Sequence, residues 1–151
     1  MIKKKHLKLL ISEKLTDSKI LLKNDRYATS VYIAGYSVEL ALKLKICRMF
    51  KFKDGFPEDR HEFISYQNSM GSMERLEGVI SQISHIRNHD LNKLLKYSGA
   101  EMRVKENKFE DWMTLNTWYP ELRYRINEVS KGEAERFFSA TNELIDYILR
   151  K

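Results

Sequence analysis

Apolar positions in the first third of the chain recur at helical spacing in two successive runs. In the first run Leu7, Ile11, Leu15, Ser18 and Leu22 share a face, which predicts an amphipathic helix over residues 3–23. Residues 24–26, Asn-Asp-Arg, form a polar turn, and a second helix is expected over residues 27–50. This second helix is apolar on two flanks: Val31, Ala34, Val38, Ala41 and Leu42 on one, Ile33, Leu40, Leu44 and Cys47 on the other. A narrow polar stripe of Tyr32, Tyr36, Glu39 and Lys43 runs between them. A helix with a single polar seam is a central helix of a bundle, so Glu39 and Lys43 are expected at a cleft between helices. The alternative is an ordinary exposed ion pair, for which Glu four residues before Lys is the favoured order, worth about 0.2–0.5 kcal/mol.

Further along, Gly55 and Pro57 break the pattern, and residues 59–70 carry no decisive periodicity. Gly71 and Ser72 can open a third helical segment in which Met73, Leu76, Ile80 and Ile83 recur. Asp90 is a candidate N-cap for a short helix with Leu91, Leu94 and Leu95, and Gly99 is placed to end it. Residues 101–111 are polar and read as loop or frayed helix, and residues 112–122 hold both tryptophans and Pro120. Ser130 and Glu133 match a capping box ahead of a final helix with Phe137, Phe138, Thr141, Leu144, Ile145 and Ile148. No strand and no internal repeat is expected. The fold class is all-α: an up-and-down bundle of four to five helices in a single domain, residues 1–151.

Charge changes this picture because it is uneven. Residues 1–51 hold 12 Lys/Arg against 4 Asp/Glu, whereas residues 52–151 hold 15 against 17. A basic first half suggests an electropositive face that attracts phosphate. The single cysteine, Cys47, cannot make an internal disulfide, so a reducing, cytoplasmic setting is expected. No run approaches the roughly 18 apolar residues of a membrane span. The N-terminus opens like a signal peptide, but lysines and a glutamate interrupt its apolar segment, and it reads better as the first helix.

Three stretches carry a family resemblance: R-Y-A-T-S-V-Y-I-A-G-Y-S-V-E-L-A-L-K at residues 26–43, H-D-L-N-K-L-L at 89–95, and W-Y-P-E-L-R-Y at 118–124. In this order, and followed by an amphipathic helix, they resemble the HEPN superfamily (higher eukaryotes and prokaryotes nucleotide-binding domain). The resemblance covers roughly residues 15–50 and 87–150 and implies a HEPN-type bundle, often dimeric, from prokaryotic toxin–antitoxin or defence systems. Many members are metal-independent ribonucleases whose signature is an arginine followed, after four to six residues, by a histidine. This chain departs from that signature. None of His6, His61, His85 and His89 has an arginine five to seven positions before it. Residues 51–87 also look like an inserted helical segment relative to the compact family pattern.

The resemblance further implies a polar constellation. Glu39 and Lys43, then Arg87, His89 and Asp90, then Trp118, Arg123, Tyr124 and Arg125 correspond to polar positions of the family. Packed together, they would make a cation-rich ligand pocket with aromatic walls, suited to phosphate and base contacts. A purely structural arrangement competes with it, in which Arg123 pairs with Glu39 and His89 and Tyr124 cap helix ends. His61-Glu62 lacks the second histidine of a zinc-protease motif, Ser65 standing in its place; His85 and His89 are four apart, but a helix break is expected at residues 88–90 and no nearby thiolate completes a site. No metal or cofactor is therefore expected, and no glycine-rich phosphate loop occurs. Three readings follow. The first is a non-catalytic HEPN-like module that dimerises and engages RNA, a nucleotide or a partner protein. The others are a ribonuclease toxin with a non-standard site at His89 and Arg87, and a structural subunit of a larger complex.

Overall fold

In the computed structural model, which describes residues 1–69, 89–124 and 129–150, the two opening runs form an antiparallel helical hairpin. Helix α1 spans Lys4–Lys23 and α2 spans Tyr27–Met49. The turn between them is a helix C-cap closed by Arg26 N–H on Leu21 O at 2.9 Å and Asp25 N–H on Leu22 O at 3.3 Å. Asp25 takes the left-handed conformation (φ 59°) that such a cap requires, and Asp tolerates it better than most residues. Where the helices cross, Ser18 Oγ donates to Ser30 O (2.9 Å) and Ser30 Oγ to Ser18 O (2.8 Å). Small hydroxyl side chains there permit close approach while leaving no buried donor unpaired.

Helix α2 is the spine of the molecule. It packs against α1, against the last helix α7 (Lys131–Leu149) and against the short helix α4 (Leu91–Tyr97). Val38, Leu40, Ala41, Leu42, Leu44, Ile46 and Cys47 are all buried, as expected of a helix apolar on two flanks. Burial also pushes the Cys47 thiol up to about 12. Helix α4 begins at the expected cap: Asp90 Oδ1 accepts from Asn92 N–H (3.0 Å) and Lys93 N–H (3.1 Å). Gly99 follows its end at φ +70°. The Ser130–Glu133 capping box opens α7, with Ser130 N–H on Glu133 Oε2 at 2.8 Å.

The described residues form a predominantly all-α bundle, with three local departures from the sequence reading. Residues 60–69 are helical (α3, Arg60–Ser69). Residues 101–111 are not loop: α5 (Glu101–Asn107) and α6 (Phe109–Leu115) occupy them, each anchored by a few buried side chains, Val104 in α5 and Trp112 and Leu115 in α6. A two-stranded antiparallel ladder, β1 (Ile2–Lys3) with β2 (Gly55–Phe56), also forms where no strand was expected. It is tied by the Tyr66 hydroxyl, which accepts from Gly55 N–H at 3.1 Å. Of the expected insertion, residues 51–69 belong to the core. Phe52, Phe56, Phe63 and Tyr66 are buried, and Phe52 stacks on Tyr66 at 4.6 Å between centroids. The remainder, including the expected helical segment at Met73–Ile83, lies outside the described residues.

Gly35, in the polar seam of α2, is where the chain after α6 docks. The Trp118 indole lies flat against it, so a Cβ at this position would fall 2.1 Å from Trp118 Cδ1. Trp118 Nε1 donates to Tyr32 O at 3.1 Å, and its ring stacks with Tyr32 at 6.2 Å. We predict that Gly35→Ala displaces Trp118 and destabilises the fold by about 1–3 kcal/mol, the usual cost of overpacking. Urea unfolding followed by tryptophan fluorescence checks this; an unchanged midpoint would show that the indole is not seated there.

Candidate functional site

The polar seam of α2 ends in a three-membered charge cluster. Glu39 is fully buried (0 % exposed), and both of its oxygens are engaged. Lys43 Nζ contacts Oε1 at 2.6 Å, and His89 Nδ1 lies 2.9 Å from Oε2. The spacing of Glu39 and Lys43 suits an exposed helical pair, but the burial makes this a desolvated carboxylate that must be matched by its partners. Lys43 is only 14 % exposed and also lies 5.4 Å above the Phe56 ring centroid. Burial first, and then the Glu39 carboxylate, push the Tyr36 phenol up.

His89 stands immediately before the α4 cap and is 55 % exposed. A carboxylate accepts hydrogen bonds, so Nδ1 carries the hydrogen directed at Glu39, and Nε2 is the ring nitrogen left for another partner. This is the orientation that a buried acid imposes on a catalytic or ligand-binding histidine. Next to it lies a cleft of about 410 Å³ lined by His89, Asp90, Asn92, Asn116, Tyr119 and Glu121, with Trp118 and Pro120 behind. Asn92 Nδ2 donates to Asn116 Oδ1 at 2.6 Å. That bond leaves the Asn92 carbonyl and the Asn116 amide group as an acceptor–donor pair.

The sequence-predicted site residues separate into three groups. Glu39, Lys43, His89 and Asp90 come together, but Glu39 reaches a ligand only through His89. Trp118 is buried between Gly35 and Tyr32, so it forms the back of the cleft and offers no stacking face. Arg123 and Tyr124 sit on the 3-10 turn Pro120–Tyr124, one turn past the cleft lining. Arg123 does not pair with Glu39. Its guanidinium lies near the Tyr32 and Tyr124 side chains and 4.7 Å above the Tyr124 ring, which is 71 % exposed. Among the described helices the side-chain caps are Asp90 and Ser130, and neither Tyr124 nor His89 supplies one. Arg87 and Arg125 lie outside the described residues.

Of the cation-rich pocket expected, Arg87 and Arg125 lie outside the described residues, and the described lining of the cleft includes neither Lys43 nor Arg123. Among the described residues its charged lining is His89, Asp90 and Glu121, and the nearest arginine stands at its edge. Asn92, Asn116, Tyr119 and Glu121 were not singled out by the sequence. The one available signal was Gly35, since a glycine inside a helix costs about 1 kcal/mol relative to alanine and implies close approach by a neighbour. Among the described residues no three His, Cys, Asp or Glu side chains are grouped to hold a metal ion. No helix among them is long and apolar enough to cross a membrane. No protein-family model matches the chain, and no curated protein or solved structure matches it.

The cluster has a measurable consequence. We predict that Glu39→Gln, which leaves the Lys43 ammonium without its counter-charge, lowers stability by about 3 kcal/mol, as breaking a buried ion pair does. His89→Asn, at a half-exposed position, should cost about 1 kcal/mol or less. Chemical denaturation of both variants tests the ranking; equal losses would mean that Glu39 is not the organising charge.

Proposed function

We propose that this chain is a non-catalytic HEPN-like binding module that engages single-stranded RNA or a nucleotide at the His89 cleft. The observation that carries this reading is the exposed Arg123–Tyr124 stack one turn from a cleft lined by amides and carboxylates. An exposed phenol ring is a platform for a base, and the guanidinium above it adds a phosphate contact. Asp90 and Glu121 disfavour a phosphate inside the cleft. They favour instead the exocyclic amino group of a base, with the Asn92 and Asn116 amides reading its other edge. Asp90 Oδ1 is already committed to the α4 cap and Oδ2 lies 3.7 Å from Lys93 Nζ, so Glu121 is the carboxylate that takes this role.

The resemblance to HEPN domains supports the same class of ligand. It also carries two expectations kept within this proposal: a homodimer, and a setting in a prokaryotic toxin–antitoxin or defence system, where a protein partner would bind as well. One specific observation favours the ribonuclease reading. Glu39 orients His89 so that Nε2 faces outward beside the cleft, as a general base requires.

A gel shift with end-labelled single-stranded RNA, at about 50 and 200 mM salt with and without chelator, separates these readings. We expect a salt-sensitive shift with no new bands, weakened about five- to tenfold in Tyr124→Ala, the scale of one base–aromatic stack. Chelator-resistant cleavage that disappears in His89→Ala would replace the binding module with a ribonuclease. Intact and unshifted RNA at both salts would reject both and leave a structural subunit.

A further inference from the structure

A second polar cluster lies at the C-terminal end of α2, where the last turn of α7 is held by three cations. Lys45 Nζ donates to Arg150 O at 3.0 Å, Arg48 to Leu149 O at 2.9 Å, and Arg103 of α5 to Tyr147 O at 3.0 Å. Cations are the natural partners of a helix C-terminus, whose carbonyls carry about half a negative charge. Three cations exceed that charge several-fold. Among the described residues no carboxylate pairs with Lys45, Arg48 or Arg103, and the only charges found acting on Lys45 are Arg48 and Arg103. Partial burial, and then those two guanidiniums, pull Lys45 down from the usual lysine range. Among the described residues the cluster is thus short of negative charge.

Its border is apolar. Met49, 50 % exposed, lies over Gly99, where a Cβ would fall 2.1 Å from Met49 Cε, and Met102, 75 % exposed, is in the first turn of α5. Arg103 lies over the Tyr147 ring at 4.9 Å, and that ring is half-buried, unlike the exposed ring of Tyr124. Unbranched thioethers adapt to apolar side chains of varied shape, a common property of surfaces that take peptide helices. A phosphate chain would gain nothing from two exposed methionines.

We propose that this end of the bundle, formed by α2, α5 and the last turn of α7, docks an acidic amphipathic segment of a partner protein. Its carboxylates meet Lys45, Arg48 and Arg103, whose remaining donors are already held in place by the α7 carbonyls. Its aliphatic side chains rest on Met49 and Met102. This surface is separate from the His89 cleft and stands whether or not that cleft binds RNA.

Fluorescence anisotropy with the full chain tests it, using a labelled synthetic peptide of glutamates and leucines set at helical spacing. Two competitors accompany it: the same peptide with serine for leucine, and a single-stranded RNA. The peptide should bind in a salt-dependent manner, and Arg48→Glu and Met102→Asp should each weaken it at least about tenfold, Met102→Asp with the thermal midpoint unchanged. Tyr124→Ala should leave it untouched. No peptide binding at low salt, or equal binding of the serine peptide, overturns the proposal. So does RNA binding that is lost with Arg48→Glu, which would make the face a phosphate site. A dimer that dissociates in Arg48→Glu would assign the face to a second copy and likewise overturn it.

Discussion

The Glu39 carboxylate fixes more of this structure than any other group. It lies in the middle of α2, with no surface of its own, inside a helix whose neighbours are apolar. A carboxylate removed from water is tolerable only when both oxygens are satisfied by charged or strongly polar donors. Lys43 supplies one from the same helix, one turn on. The other must come from a different part of the chain, and it is His89, fifty residues away, that supplies it. Because His89 directly precedes the Asp90 cap, this bond also sets where α4 begins and which way its first turn faces. The cleft wall made by Asn92 and Asn116 follows from that position.

Gly35, one turn before Glu39, works through close approach where Glu39 works through charge. The missing side chain lets Trp118 lie on the α2 backbone and donate to Tyr32 O. Residues 118–124 are thereby held against α2 on the side where His89 arrives. Two positions on one helix, four residues apart, bring together the opposite walls of the site. The site is half rigid for this reason: its floor is core, while His89, Asn92, Asn116 and Tyr124 reach solvent. Such an arrangement suits a ligand that must enter without opening the fold.

How far the sequence could be read depended on the kind of signal. Helices α1, α2 and α7 were legible because each sustains an apolar period over five turns or more, and α7 has its capping box besides. Helices α5 and α6 were not, since seven-residue helices present only one or two buried side chains. Neither Ala100 nor Lys108 provides a side-chain cap to announce them. The β1–β2 ladder pairs residues more than fifty positions apart and two residues long, below anything alternation can mark. At the site the side-chain types were legible and the partners were not. Glu39 plainly needed a cation beyond Lys43, for which the sequence offered Arg123, whereas the fold supplies His89. Trp118 looked like a stacking surface because indoles often are; only packing on Gly35 shows its faces are covered.

Charge gave the least transferable reading, for a reason visible residue by residue. The positive surplus of residues 1–51 suggests one electropositive face, yet its members do different things. Lys43 neutralises Glu39, Lys14 pairs with Asp17, and Lys45 and Arg48 hold the carbonyls that end α7. Lys5, Lys8, Lys19 and Lys23 remain exposed along α1. Counting charges along a sequence measures attraction at long range, which salt screens beyond about 8–10 Å. Recognition at contact depends instead on which charges the fold has already matched. By that criterion Arg123 at the cleft and the trio at the end of α7 are the informative cations. Among the described residues the first lies beside phenols rather than carboxylates, and the second meets carbonyls alone. In each case the fold has oriented a positive group and left it without a full counter-charge, a condition that an anionic ligand or partner would complete.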